Sequence, residues 1–221
     1  MCRAGVPGDD GPVPTLTPLP ISPAFDCAIR RAGQADLPTV GYVLAAAFQD
    51  DPVMRWVIPD DAGRRVRLPA LMELYAARVQ DLGENRINES GTGAAVWAPP
   101  GAEFTPDEDA RFEAGLIVAG GRDLARLGQV VELLDAHHPT EPHWYLMLAG
   151  VIPDRQGAGI GSALVRSVLA GADRAGMPAY LEATSPRSRA LYERHGFHVT
   201  AELRTADCPP LWAMWRNSMM G

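Results

Sequence analysis

Lysine is absent from this chain, and all 20 of its basic residues are arginine. That absence excludes a P-loop nucleotide site, whose G-x-x-x-x-G-K-[ST] run needs a lysine for the phosphates. With so much Ala, Gly and Pro, the arginine-only habit reads as genome composition rather than chemistry. Cysteine is scarce: Cys2, Cys27 and Cys208 are odd in number and widely spaced. No disulfide framework or metal-ligand spacing can be built from them, which fits a reducing, cytoplasmic compartment and no bound metal. No apolar run approaches the roughly 20 residues that span a bilayer, and the opening MCRAGVPGDDGPVP has no apolar signal core. No membrane partner is expected. Positive charge is in deficit, with a formal net charge of −7. A broad nucleic-acid footprint is excluded on that ground. The charge suits a cationic or amine partner, although a solvated acidic surface would give the same number.

The chain does have apolar material, 47% of its 221 residues, enough for one full core. Residues 1–26 carry six prolines and little periodicity, so they read as a disordered tail. Residues 27–217 read as one domain. Its expected elements begin with a strand at Cys27–Ala32. Asp36 should cap a helix over Leu37–Phe48, and QDDPVMRWVIPD reads as a short helix or loop. A helix over Leu68–Leu82 follows. Gly83–Gly101 reads as a hairpin, with NRINES and AAVWAPP as strands and GTG as the turn. Helices are expected at Asp107–Ala119 and Arg122–His137. The unbroken apolar run His143–Val151 suits a central strand. Helix Ile160–Ala175, strand Pro178–Thr184, helix Pro186–His195, and strands Phe197–Arg204 and Leu211–Arg216 complete the order. That order is a mixed α/β sheet with helices on both faces.

The stretch DRQGAGIGSAL, from Asp154 to Leu164, places glycines at 157, 159 and 161 where a helix begins. A helix N-terminus has unpaired N–H groups and a partial positive charge, and a phosphate satisfies both. Glycines allow unusual φ values and keep Cβ atoms out of the approach. Ser162 adds a hydroxyl and Arg155 a charge. The stretch therefore reads as a pyrophosphate cradle, against the plainer alternative of a glycine-rich turn with no ligand. A dinucleotide fingerprint fits poorly. Gly157, Gly159 and Glu182 imitate it, but Ser162 stands at the third glycine, and about 40 residues after Glu182 are too few for that fold.

Gln156-x-x-Gly159-x-Gly161, five residues after Val151-x-Pro153, resembles the acetyl-CoA motif of the GNAT N-acetyltransferase superfamily. Arg189-Ala-Leu-Tyr192-Glu-Arg-His-Gly196-Phe197 resembles that family's L-Y-x-x-x-G-F run, in the right order and at the right distance. The likeness covers about residues 27–217. Within the superfamily, LAAAFQDDP, EPHWYL, GVIPDRQGAGIGSA, AGMPAYLEATSPR, LYERHGF and the late Trp212 look similar to the puromycin N-acetyltransferase-like branch.

The resemblance implies a mostly antiparallel sheet with one parallel strand pair splayed apart, here His143–Val151 and Pro178–Thr184. It implies acetyl-CoA as acyl donor, with the pantetheine arm along Ala149, Gly150 and Val151. The pyrophosphate would then lie on the N–H groups of Gly157, Ala158, Gly159, Ile160, Gly161 and Ser162, near Arg155 and Gln156. Ser185 stands where many members place a CoA-contacting asparagine, and Arg187 and Arg189 could approach the adenosine phosphates. The reaction implied is direct attack of an amine on the thioester. Tyr192 matches the general acid, against the alternative of a core tyrosine. Glu182 is the candidate base, with a salt bridge to Arg187 as the plainer role. His143 is a weaker base candidate, and the Val151 N–H would meet the thioester oxygen. Asp50, Asp51, Trp56 and Trp144 are candidates for holding the acceptor, against capping and core roles. The acceptor implied is a small-molecule primary amine, such as an aminonucleoside or another antibiotic. A protein acetyltransferase and a non-catalytic acyl-CoA sensor are the competing readings. Monomer and homodimer both stay open.

Overall fold

The structure is a computed structural model that describes residues 27–219, so the stretch read as a disordered tail lies outside it. The first strand is shorter than expected, β1 at Ile29–Arg31. Helix α1 runs over Leu37–Phe48. Asp36 holds the N-cap position, but its carboxylate does not cap α1. It turns back to accept from the Gly33 N–H and to pair with Arg30 at 2.7 Å. Helix α2, Pro52–Val57, is capped by Asp51, whose Oδ1 accepts from the Val53 and Met54 N–H groups.

Helix α3 starts a full two turns earlier than the periodicity suggests, at Asp61, and ends at Arg78. Asp60 caps it through the Gly63 N–H. Its polar first turns hid a buried anchor. Arg64 is 4% exposed and donates to the carbonyls of Gln49, Ile58 and Pro59.

Strands β2 (Arg86–Asn88) and β3 (Gly93–Ala98) form the expected hairpin, with Gly93 in the strand rather than in the turn. Helices α4 (Pro106–Gly120) and α5 (Leu124–His137) lie between β3 and β4 (Trp144–Val151). Then come α6 (Ile160–Arg174), β5 (Ala179–Ala183), α7 (Pro186–Glu193), β6 (His198–Leu203) and β7 (Leu211–Arg216). The sheet order is β1-β2-β3-β4-β5-β7-β6, and only β4 and β5 are parallel.

The sheet separates two buried clusters. On one face α1, α3 and α5 contribute Val40, Val43, Leu44, Leu68, Leu71 and Val130. On the other, α6 turns Ile160, Leu164, Val165 and Val168 onto Trp97, Leu146 and Leu181. The spacing of those α6 residues is one helical stripe, and a fully buried leucine such as Leu164 stabilises by roughly 1.5–3 kcal/mol. Among the described residues no helix is long and apolar enough to cross a membrane.

Two local features open the sheet at its centre. The β3–β4 register shifts by one residue between Val96↔Leu148 and Trp97↔Leu146, leaving Met147 as a bulge in β4. Met147 and Leu148 consequently face the same side, packing with the α1/α3/α5 cluster. The parallel pairing of β4 with β5 ends at Leu146↔Leu181, beside that bulge. Beyond it the strands part, and the β5-facing edge of residues 147–151 has no strand partner.

Candidate active site

A cavity of ≈ 640 Å³ occupies the gap between β4 and β5. One wall is the loop entering α6. Gly157 and Gly159 have φ values of 84° and 87°, the left-handed region that costs an L side chain energy. A Cβ at Gly157 would meet nothing within 4 Å, so conformation rather than crowding calls for glycine there. Gly161 differs. It lies in α6 with ordinary helical φ, and a Cβ there would make only van der Waals contact with Leu191 and Val151. The first α6 bond runs from the Ala163 N–H to the Gly159 carbonyl, so the N–H groups of Ile160, Gly161 and Ser162 have no intrahelical acceptor. Gln156 pins the loop to β4 by donating Nε2 to the Val151 carbonyl at 3.0 Å. These residues line the cavity together with Arg155 and Ser185. Ala158 does not, and its carbonyl instead faces the Cys27 thiol at 3.7 Å.

On β4, the Ile152 N–H donates to the Thr92 carbonyl, which fixes the ladder's alternation. The N–H groups of Ala149 and Val151 then face the gap, whereas the backbone groups of Gly150 face Ala94 on β3. Gly150 serves by its size: a Cβ there would come within 2.5 Å of the Ala47 Cβ, where α1 crosses β4.

Glu182 and Tyr192 both line the cavity. The Tyr145 hydroxyl donates to Glu182 Oε2 at 2.9 Å. Tyr180 is on the same face of β5 and helps hold the carboxylate's pKa down, but it falls short of hydrogen-bond geometry. Both its hydroxyl and Glu182 Oε1 are buried without a partner. Burial pushes the Glu182 carboxyl up to about 7, against the lowering effect of the two tyrosines, with the Asp135 charge adding to the rise. Among the described residues no arginine pairs with it. Burial, and then the neighbouring Asp51 charge, push the Tyr192 hydroxyl well above its ordinary value, so it keeps its proton at any working pH. Asp51 caps α2 with Oδ1 and accepts from Thr184 at Oδ2, and burial raises its own carboxyl.

Of the residues put forward for the acceptor, Asp50 is on the cavity wall, but Trp56 and Trp144 are not. Trp56 donates to Asp207 and has the Arg126 guanidinium over its ring at 5.4 Å. Trp144 sits at the paired end of β4, packed on the α6 side. His143 is also away from the cavity, its Nδ1 against the Glu141 carbonyl and its ring among His138, Tyr180 and Trp215. Arg187 lines the cavity, whereas Arg189 pairs with Glu193. The sequence reading missed Tyr145 and Arg194, which line the cavity, and His195, which does not line it but places its Nε2 3.0 Å from Ser162 Oγ. Tyr145 could have been found from the apolar run HWYLM, since its side chain and that of Glu182 meet across adjacent strands.

A sequence model of the acetyltransferase (GNAT) family matches residues 92–197. A solved structure described as histone acetyltransferase HPA2 and related acetyltransferase, from Corynebacterium glutamicum, shares 32% identity. The match covers 88% of this chain and 97% of that one, with a TM-score of 0.65. The chain belongs to the GNAT acetyltransferase family. As a GNAT protein it is an acyltransferase, and the family's acyl donor is acetyl-CoA. Two more distant structures share the fold. A GCN5-related N-acetyltransferase from Rhodopseudomonas palustris is 14% identical over 86% of this chain and 94% of its own, with a TM-score of 0.52. An agmatine N-acetyltransferase is 16% identical over 86% and 98%, with a TM-score of 0.53.

The GNAT donor fits what the residues offer. Unpaired helix N–H groups, two left-handed glycines with open space at Gly157, and nearby arginines suit a pyrophosphate. The unpartnered edge of β4 suits an amide-bearing arm laid down as an extra strand.

Proposed function

We propose that this protein transfers the acetyl group of acetyl-CoA to the primary amine of a small molecule, by direct attack within a ternary complex. The observation that carries the reading is one cavity that joins an anion cradle, a free strand edge, a carboxylate poised near neutrality and a protonated tyrosine.

In this reading Gly157, Gly159, Ile160, Gly161 and Ser162 hold the pyrophosphate through their N–H groups, with Arg155 adding charge. Ala149 and Val151 meet the pantetheine amides, and acetyl-CoA supplies an activated acyl group as a thioester. Glu182 accepts a proton from the acceptor ammonium, directly or through water, and the freed nitrogen attacks the carbonyl carbon. A C–N bond forms and the C–S bond breaks. Tyr192 gives the departing sulfur a proton or a hydrogen bond. One proton is released to solvent for each amide formed.

The sequence likeness makes puromycin and related aminonucleosides the first acceptors to try. The relative described as a histone acetyltransferase favours a second reading, acetylation of a protein amine. Against it, α3 and α5 line the cavity with apolar side chains, which suit an apolar body better than a polypeptide backbone. The test is thiol release from acetyl-CoA with puromycin, a panel of amines and whole-protein extract. Turnover of small amines supports the proposal. Acetylation of protein alone moves the assignment to the second reading, and CoA binding without turnover moves it to a sensor.

A further inference from the structure

The inner end of the cavity differs in chemistry from its mouth. Leu71 and Met72 of α3, Leu127, Val130 and Leu134 of α5, and the bulged Met147 wall it with hydrocarbon. Three of these six come from α5, part of a connection over residues 99–143. Since β3 and β4 are adjacent and antiparallel, a short hairpin would have joined them. The long connection therefore supplies a wall.

The polar groups on this side are few. They include the buried Tyr75 hydroxyl of α3, while the Asp135 carboxylate of α5 is exposed and outside the lining, although its charge acts on Tyr75 and Glu182. Asp51 has Oδ1 engaged by two backbone N–H groups and Oδ2 by Thr184. The Tyr145 hydroxyl is engaged by Glu182 Oε2. Asp50 is exposed. Glu182 Oε1 is left buried and unpartnered at the chamber's edge. We infer that the acceptor is a monocation, a single primary ammonium that pairs with Glu182 and carries an apolar body into the chamber between α3 and α5. The hydrocarbon wall from α3 and α5 carries no carboxylate, so a second positive charge on that body would be buried without a direct partner, and such burial is strongly disfavoured. The apolar body belongs to the amine rather than to a long acyl chain, because hydrocarbon alone would leave Glu182 Oε1 without a partner.

The inference rests on the proposed acetyl transfer for its turnover readout, but not for its binding readout. The experiment compares n-hexylamine with 1,6-diaminohexane, and 2-phenylethylamine with agmatine. Binding is followed by calorimetry on CoA-bound protein, and turnover by thiol release from acetyl-CoA. The expected kcat/KM for each monoamine exceeds that of its dicationic partner by at least a hundredfold. Val131→Asp, on the α5 part of the wall, should raise diamine use and narrow that ratio at least tenfold.

Use of both amines within threefold of one another would overturn the inference, as would absence of monoamine binding. So would octanoyl-CoA being preferred to acetyl-CoA with hexylamine, which would give the chamber to the donor. Selective binding of hexylamine with no thiol release from any amine would support the inference while refuting acetyl transfer.

Discussion

Glu182 shows how one residue's environment links catalysis to stability. Its folded pKa of about 7 lies above the ordinary value of 4.5. Between those two pH values the folded state binds more protons than the unfolded chain, so stability falls as pH rises through that window. Glu182→Gln should remove that loss, stabilising the protein at pH 8 by on the order of 2 kcal/mol, read as a raised chemical-denaturation midpoint. The same change should lower kcat/KM by at least about a hundredfold if Glu182 is the base. An equal loss of both properties would contradict the account. The base must be ionised to act, so log kcat/KM should rise with pH up to about 7 and then level. Tyr145 donates to the ionised form. Tyr145→Phe should therefore move that ascending limb to higher pH, by about one unit. A purely structural Tyr145 would change Tm but leave the limb in place.

At the scale of elements, the loop before α6 and the β4 bulge form the proposed donor site, and they differ in how visible they are in a sequence. Gly157 and Gly159 could be picked out because left-handed backbone favours glycine strongly. Gly159→Ala should raise the KM for acetyl-CoA about tenfold while leaving the far-UV circular dichroism unchanged, because the strain of roughly 1–2 kcal/mol falls on the loop. The Met147 bulge could not be read, since a register shift depends on the partner strand. The early start of α3 was hidden too. Arg64 reads as a surface residue until the carbonyls that surround it are placed. Gly150 lines the cavity, and its lack of a side chain also answers to α1. Gly150→Val would drive side-chain atoms into Ala47 and should destabilise by about 1–3 kcal/mol, measured by urea denaturation.

Over the whole molecule, the sheet order and its single parallel pair follow from a pattern legible in the chain, an apolar run, a glycine-led helix and a second apolar strand. Periodicity located almost every element to within a few residues, because each helix and strand buries one stripe or face. The acceptor end was far less legible. Trp56 and Trp144 are aromatic and near the right segments, but tertiary contacts draw them to Asp207, Arg126 and the α6 face. The chamber walls come from α3, α5 and β4, segments far apart in sequence whose apolar residues look like any core.

The central claim is that the cavity between β4 and β5 brings a primary amine, Glu182 and Tyr192 onto one thioester. It is tested most directly by thiol release from acetyl-CoA across the amine panel, comparing the wild type with Tyr192→Phe. The account predicts turnover of at least one small primary amine, with kcat reduced tenfold or more in the variant and acetyl-CoA binding unchanged. Full activity in Tyr192→Phe, or no turnover of any small amine by the wild type with acetyl-CoA bound, would contradict it.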